Sequence, residues 1–145
     1  MTEPVTHLNP PRQPPNSMEA EQSLLGAMML SPKAADKVCG QIGPEDFYRE
    51  SHRLIFRAVT ELAGKGEPVD AVTVAEWFAT NRLLDRVDGG AYLTMLANET
   101  PGVSNVTGYL RIVQQKSKAR RLVDLGAEIA DRAMQGEAPD ALIDE

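Results

Sequence analysis

The chain has 145 residues, the length of a single domain, and 42% of them are hydrophobic, which is enough for a buried core. Its formal net charge of -6 argues against a domain whose main role is to grip a nucleic-acid backbone, because such a surface repels phosphate. Cys39 is the only cysteine, no apolar run reaches the roughly 18 residues of a membrane span, and no secretory leader precedes the fold, so we expect a cytoplasmic protein without a membrane partner.

Residues 1–15 form a predicted arm. They contain many prolines and little periodic apolar signal, which is typical of a disordered, polyproline-biased segment. The helix that follows is predicted to begin at Asn16, whose side chain would cap it, and Glu19 would complete a capping box. The predicted core face of this helix consists of Met18, Leu24, Leu25, Met28 and Met29.

Two further helices are predicted before residue 66. Ser31 and Pro32 give a cap followed by a first-turn proline, and the run ends at Gly43 and Pro44. Its apolar side consists of Ala35, Val38, Cys39 and Ile42. The next helix is predicted from about Ser51 to the glycines at 64 and 66, with an inward face of Leu54, Ile55, Ala58, Val59 and Leu62.

The fourth and fifth helices have clear signals at their starts. Thr73 and Glu76 have the spacing of a capping box, and Val72 is predicted to pack on Trp77 as a hydrophobic staple. The core face of the fourth helix consists of Val74, Trp77 and Phe78. After the turn of residues 88–90, a short fifth helix carries Tyr92, Leu93 and Leu96 and ends at "NETPG".

A long helix is predicted from Ser104 or Asn105 to about Gln135. This stretch has no proline, and about 30 helical residues would extend about 45 Å, which is more than a compact domain of this size can cover. Part of the helix should therefore project. Apolar and small residues recur along it at steps of three and four, which permits close approach by another helix. They are Tyr109, Ile112, Ala119, Val123, Gly126, Ala130 and Ala133.

The chain therefore divides into three predicted parts. They are a disordered arm at 1–15, a helical globular domain at 16–103, and a helical hairpin at 104–145. The segment "GEAPDALIDE" begins the second arm of the hairpin, and the sequence ends within it, so we expect that arm to be truncated. No alternating strand pattern of useful length is present. The predicted class is all-α: a small helical globule followed by a long helix that starts a helical hairpin.

Candidate catalytic and metal-binding groups are few. His7 falls in the arm, His52 is predicted to be a capping or packing residue, and no cysteine pair has metal-ligand spacing. "LAGKGE" lacks the first glycine and the Ser or Thr of a phosphate-binding loop. Acid pairs such as Glu19 with Glu21 lie at helix starts, where negative charge interacts favourably with the helix dipole and stabilises the helix. We expect Cys39 to be a buried, inert thiol, and we predict no catalytic, cofactor-binding or metal-binding residue.

The sequence "QQKSKARR" places Lys116, Lys118, Arg120 and Arg121 in the middle of the long helix. One interpretation is a contact for nucleic acid or for an acidic partner. The other is the solvated face of an exposed helix. The four charges are spread around the helix rather than concentrated in one stripe, which favours the second interpretation.

Five sequence blocks resemble the N-terminal domain of bacterial DnaB-type replicative helicases. They are "PPNSMEAEQSLLGAMML", "DFYRESHRLIFRAV", "GEPVDAVTVAEWF", "GGAYLTMLANETPGVSNVTGYLRIV" and "RRLVDLGAEIAD". Their order and spacing match from Pro14 to the end of the chain. Cys39 and the proline-rich lead depart from the family pattern, but both lie outside the five blocks.

The resemblance implies a non-catalytic assembly domain. In such helicases the subunits pair through the helical hairpins, which build a trimer-of-dimers collar on a hexamer, and the collar binds primase. A helicase loader is a further implied partner. ATP, Mg²⁺ and most DNA contacts belong to a motor domain that this sequence lacks. We therefore expect a subunit or partner interface on the long helix, at Tyr109, Ile112, Ala119, Arg120, Arg121 and Val123.

Two other functions remain as alternatives. The first is the helicase-interacting helical domain of a primase, which resembles this kind of globule. The blocks "DFYRESHR" and "NVTGYLRIV" favour the helicase instead. The second is a freestanding DNA-binding regulator, which would bind DNA through several salt-sensitive phosphate contacts.

Overall fold

The computed structural model describes residues 13–144, and all regular elements in this range are helical. The α-helices are α1 (Met18–Leu30), α2 (Pro32–Cys39), α3 (Glu50–Gly64), α4 (Ala71–Thr80), α5 (Gly90–Glu99), α6 (Val106–Met134) and α7 (Pro139–Ile143). Short 3-10 turns at Pro44–Asp46, Leu84–Val87 and Val103–Asn105 connect some of them. The predicted all-α class is confirmed. Residues 1–12, with most of the predicted arm and His7, lie outside the described range.

Helix α1 lies at the centre of the globule and packs against α2, α3, α5 and α6. Four of its five predicted core residues are fully or almost fully buried, whereas Met18 is only partly buried. Gly26 lies where α1 meets α5, and a Cβ atom there would lie 2.4 Å from the carbonyl oxygen of Leu96. Only a glycine fits this contact without a backbone shift. The α1–α5 approach is thus fixed by one small residue.

The cap of α1 differs from the prediction. Ser17, not Asn16, is the N-cap, and its hydroxyl accepts a 3.2 Å hydrogen bond from the amide of Ala20. The side chain of Asn16 instead donates to the carbonyl oxygen of Pro14 at 2.9 Å. Because the helix begins one residue later than predicted, Glu19 is not at the capping-box position. The α2 cap at Ser31 and Pro32 is confirmed, although α2 ends at Cys39, before the predicted Gly43.

Helix α4, in contrast to α1, begins earlier than predicted. Asp70 is the N-cap, and Thr73 lies three residues inside the helix. The Asp70 carboxylate accepts from the Thr73 amide at 2.8 Å, and the Thr73 hydroxyl accepts from the Asp70 amide at 2.9 Å. Val72 is 77% exposed, so the predicted staple to Trp77 is wrong. The predicted core faces of α3 and α4 are buried, and Phe56 joins them.

Helix α6 has 29 residues and, at 1.5 Å each, extends about 43 Å. Its first half packs on the globule, where it contacts α1, but every residue from 121 to 131 is exposed. The predicted projection is therefore confirmed. After α6 the chain turns at Gly136, which has a φ of +88°, and α7 packs back on α6 with Leu142 buried. Within the described residues, no helix is both long and apolar enough to cross a membrane.

Candidate interaction surface

One side of α6 holds the helix on the globule. Val106, Leu110, Val113 and Ser117 are buried and recur at steps of three and four residues. Three of them are apolar, but Ser117 marks a change to polar contacts. The attachment of α6 thus begins as a hydrophobic core contact and ends as a hydrogen-bonded one.

The polar part of the attachment centres on Asp46 in the turn between α2 and α3. One carboxylate oxygen of Asp46 accepts from the Ser117 hydroxyl at 2.6 Å, and the other accepts from the Gly43 amide at 2.9 Å. The Arg121 guanidinium lies 3.5 Å from the first oxygen. Asp46 is only 8% exposed, so it depends on these donors to satisfy its charge. We call Asp46, Ser117, Arg120 and Arg121 the Asp46 cluster.

Arg120 makes the longest-range contact of this cluster. Its two terminal nitrogens donate to the backbone carbonyl oxygens of Pro15 and Asp46, both at 2.7 Å. The guanidinium also lies 5.5 Å from the centre of the Tyr48 ring. The prediction of a solvated basic face is therefore wrong for Arg120, whose planar fork matches two carbonyls of the globule. Lys116 and Lys118 are exposed, as that prediction requires.

The projecting half of α6 exposes large apolar side chains. Leu122 is 69% exposed, Leu125 52% and Ile129 41%. At about 100° per residue, these three fall within about 60° of one another, and small residues widen the face they form. We define the apolar face as Leu122, Leu125, Gly126, Ile129, Ala130 and Ala133. Its centre lies about 160° around the helix from the side buried on the globule, so it faces away from its own globule.

The large side chains at the centre of the apolar face begin where α6 leaves the globule, and in the anchored half Ile112, 43% exposed, lies at the edge of this side. On the same side of the helix, the anchored half carries Arg111, Gln115 and Lys118, all exposed. A polar side is the ordinary choice for a helix surface in water. The change to leucine and isoleucine at residue 122 therefore leaves an exposed apolar surface that is unusual for a helix in water.

The six residues predicted as an interface differ in exposure and in contacts. Ile112 and Val123 are exposed, at 43% and 53%, and Ala119 is partly exposed. Tyr109 packs partly against the core, with its hydroxyl buried and without a hydrogen-bond partner in the described residues. Arg120 and Arg121 belong to the Asp46 cluster. At about 100° per residue, Ile112, Ala119 and Val123 fall within about 40° of one another along α6. The interface role of all six residues stays a prediction.

Leu122, Leu125 and Ile129, which dominate the apolar face, are not among the residues predicted as an interface. Their spacing of three and four residues is itself a helical signal. The predicted series from Tyr109 to Ala133 has the same period and shares Gly126, Ala130 and Ala133 with the apolar face. The burial of α6 on the globule shows that the exposed side also includes Leu122, Leu125 and Ile129.

A buried polar network joins α1, α3 and α5. Glu21 lies 2.7 Å from one ring nitrogen of His52, and the other ring nitrogen lies 2.6 Å from the Tyr92 hydroxyl. The Glu21 carboxylate also accepts from the Tyr48 amide at 2.7 Å, and Gln22 donates to Tyr92 at 3.2 Å. His52 is fully buried and Glu21 is 1% exposed. Every member is engaged within the globule, so the network holds three helices together rather than presenting a reactive group.

This network refines two predictions. His52 is a packing residue, as predicted. Glu21 was predicted to act as a first-turn acid, but its main role is that of a buried acceptor for two donors. Glu19, the other acid of that turn, is exposed. In residues 13–144, no group of three or more His, Cys, Asp or Glu side chains is arranged to hold a metal ion.

Cys39 is half-buried at the end of α2, not fully buried as predicted. Burial raises the pKa of its thiol, a hydrogen bond with Thr60 lowers the pKa in part, and the nearby negative Asp36 raises it again. A raised pKa leaves little thiolate at neutral pH. The expectation of an unreactive thiol therefore has a physical basis despite the partial exposure.

The fold and its surface define a class of protein: an all-helical domain with a projecting helix that carries an unpaired apolar face. Comparison with known families is consistent with this class. The family described as DnaB-like helicase N terminal domain matches residues 13–115. The chain belongs to this family, as the five sequence blocks predicted.

Two curated relatives illustrate the extent of the similarity. The chain is 44% identical over 135 residues to the replicative DNA helicase DnaB of Geobacillus stearothermophilus, covering 92% of this chain and 30% of that protein. It is 44% identical over 126 residues to the replicative DNA helicase DnaC of Bacillus subtilis, covering 87% and 28%. The chain thus spans less than a third of the length of these relatives.

Solved structures confirm the fold. The N-terminal domain of DnaB helicase from Mycobacterium tuberculosis matches with a TM-score of 0.83 and 39% identity, over 91% of this chain and 94% of that one. A second structure, of a DnaB-like replicative helicase and its interactions with primase, matches with a TM-score of 0.70 and 22% identity, over 88% and 33%. At that identity the second match shows the fold alone.

Proposed function

We propose that this chain is the N-terminal assembly and primase-interaction domain of a replicative DNA helicase. The exposed apolar face on the projecting half of α6 carries this proposal. In water, an isolated helix side with Leu122, Leu125 and Ile129 is costly, and a second copy that presents the same face would cover it. Pairs formed in this way would build the trimer-of-dimers collar of a hexamer.

The helicase activity belongs to the whole protein in this proposal. The curated relatives are named replicative DNA helicases, and the matched region is under a third of their length. ATP and Mg²⁺ would be bound by the motor domain, which would also make most DNA contacts. The net charge of -6 supports this division, because the domain itself is a poor ligand for phosphate.

Primase is the proposed external partner, and a helicase loader is a further one. The supporting observation is a solved structure of similar fold whose subject is a DnaB-like replicative helicase and its interactions with primase. The proposal places both partners and the assembled helicase in the cytoplasm. The alternative, a helicase-interacting domain of a primase, is less well supported because the curated relatives are helicases.

Sedimentation of the chain at rising concentration tests the pairing. We expect association in the high micromolar range, and we expect the Leu125→Asp/Ile129→Asp variant to remain monomeric. Gln115→Asp is the matched control, since it places a negative charge on the same side of α6 within the anchored half. It should associate like the unmodified chain.

Primase binding provides the second arm of the test. Immobilised chain should retain purified primase in a surface-binding assay, and an unrelated protein of similar acidity should not. A chain that stays monomeric at all concentrations and retains no primase would contradict the assembly role. If a monomeric chain retained primase, the proposed pairing would be contradicted and the proposed primase interaction would stand.

A further inference from the structure

A cleft lies between the end of α3 and the outer side of α4, and no part of the Asp46 cluster or the apolar face lines it. Its volume is about 440 Å³. The side chains that define its chemistry are Glu61, Leu62, Glu67, Pro68, Glu76 and Trp77. We call it the Trp77 cleft. Its lining runs from Thr73 to Thr80 along α4, which is about 10 Å of helix.

The floor of the cleft is apolar and fixed in position. Trp77 is only 9% exposed, and its ring nitrogen donates to the Glu61 carboxylate at 2.6 Å. Its ring and the ring of Phe78 pack in a T-shaped arrangement at a centroid distance of 5.1 Å. Because the indole is held from both sides, a ligand that enters over Trp77 and Leu62 would not need to order the floor. Such pre-formed sites bind with a smaller entropic cost.

The rim of the cleft is acidic. Glu61, Glu67 and Glu76 stand around it, and Lys65 is its only basic lining residue. Lys65 lies 3.9 Å from Glu61, whereas no cation of the described residues forms an ion pair with Glu67 or Glu76. Lys65 is the C-cap of α3, but α4 has no basic residue in its last turn, so the negative end of α4 adds to the potential.

We propose that the Trp77 cleft docks a short segment of a partner protein in which an apolar side chain is flanked by lysine or arginine. The apolar side chain would lie over Leu62 and Trp77, and the basic side chains would pair with Glu67 and Glu76. A length of about two helical turns suits a peptide segment better than a single small cation. The acidic rim disfavours nucleic acid and acidic partners. This inference does not depend on pairing through α6 or on primase binding.

Trp77 allows a direct test because it is the only tryptophan of the chain. Its fluorescence is followed while a synthetic peptide of alternating lysine and leucine is added. The matched probe is the same peptide with glutamate in place of lysine. We expect a saturable change with the basic peptide, weakened by salt, and none with the acidic one.

Two double variants locate the binding. Glu67→Gln/Glu76→Gln should reduce the affinity for the basic peptide about tenfold. Glu19→Gln/Glu99→Gln removes two exposed glutamates from α1 and α5 and should leave the affinity unchanged. The glutamine side chains keep the shape of glutamate, and circular dichroism of each variant verifies that it is folded.

Three results would overturn the proposal. The first is an equal loss of affinity in both double variants, which would show attraction to overall charge. The second is the lack of any saturable fluorescence change. The third is a change in Trp77 fluorescence when the chain alone is concentrated, with dimer formation at the same concentrations, which would make a second copy the occupant.

Discussion

Arg120 of α6 donates a 2.7 Å hydrogen bond to the backbone carbonyl oxygen of Asp46, which precedes it in the chain by 74 residues. A second bond of the same length reaches Pro15. Arg120→Ala should therefore lower the free energy of unfolding by about 2 to 3 kcal/mol, because a charged donor is lost from two carbonyls. Urea unfolding followed by circular dichroism measures this loss.

Two further variants test whether the loss of stability comes from the contacts of Arg120 with the two carbonyl oxygens. Arg120→Lys should recover little of the stability, since one ammonium group does not reproduce the planar fork that meets both carbonyls. Lys116→Ala removes an exposed positive charge from the same helix and should change stability by less than about 0.5 kcal/mol. Equal effects of Arg120→Ala and Lys116→Ala would show that the carbonyl contacts contribute nothing.

The buried Glu21 should be far more important than its exposed neighbour in the first turn of α1. Glu21→Ala leaves the Tyr48 amide and the His52 ring without their acceptor, and we expect a loss of about 3 kcal/mol. Glu19→Ala removes the same charge near the same helix end and should cost less than about 1 kcal/mol. Thermal unfolding of both variants at neutral pH compares them, and a difference below 1 kcal/mol would contradict the network.

Replacing a glycine inside a helix with alanine usually stabilises a protein, but at Gly26 we expect the opposite. A Cβ atom at Gly26 would lie 2.4 Å from the Leu96 carbonyl oxygen and 2.9 Å from the Thr100 Cβ atom. Gly26→Ala should therefore destabilise by about 1 to 3 kcal/mol. Gly108→Ala in α6 is the control, because nothing lies within 4 Å of the added atom. It should stabilise by about 0.5 to 1 kcal/mol. The same sign for both changes in chemical denaturation would be inconsistent with the α1–α5 contact.

Cys39 should react with an alkylating reagent at a higher pH in the folded chain than in the unfolded chain. Its folded pKa is raised, chiefly by burial, so the folded state holds the thiol proton more tightly. The stability that follows is fully present below the unfolded pKa and is lost as pH rises through the folded pKa. The rate of alkylation against pH, with and without urea, measures both values, and Cys39 is the only thiol.

Two substitutions should move the folded pKa of Cys39 in opposite directions. Asp36→Asn removes a negative neighbour and should lower it, whereas Thr60→Val removes a hydrogen bond that favours the thiolate and should raise it. Coincident folded and unfolded alkylation profiles would contradict the effect of burial.

Much of the fold follows from local sequence signals. The apolar spacing of α3 predicts its buried face, and the proline-free stretch after Asn105 predicts a helix longer than the globule. The errors occur at caps, where neighbouring residues have similar chemistry. Asn16 and Ser17 are both good N-caps, as are Asp70 and Thr73, and the choice depends on where the chain enters the globule.

The contacts and exposed faces of α6 are harder to predict than the fold. Arg120 and Lys116 are both basic residues of one helix, but only Arg120 lies opposite the carbonyls of Asp46 and Pro15. That contact joins segments distant in sequence, so no local pattern encodes it. The apolar face is hard to predict for a similar reason. Leu122, Leu125 and Ile129 are recognised as unpaired only when the packed side of α6 is known.

Helix α6 passes from the anchored half to the projecting half without a proline or a glycine between Tyr109 and Leu125. The globule is therefore joined to the start of the projecting half by a stiff segment, since an uninterrupted helix bends only gently. If α6 were tilted by about 10° about its free end, its other end, at the globule, would move by about 7 Å. If two copies pair through this helix as proposed, a small change in the angle between the paired helices would become a large change in the spacing of their globules.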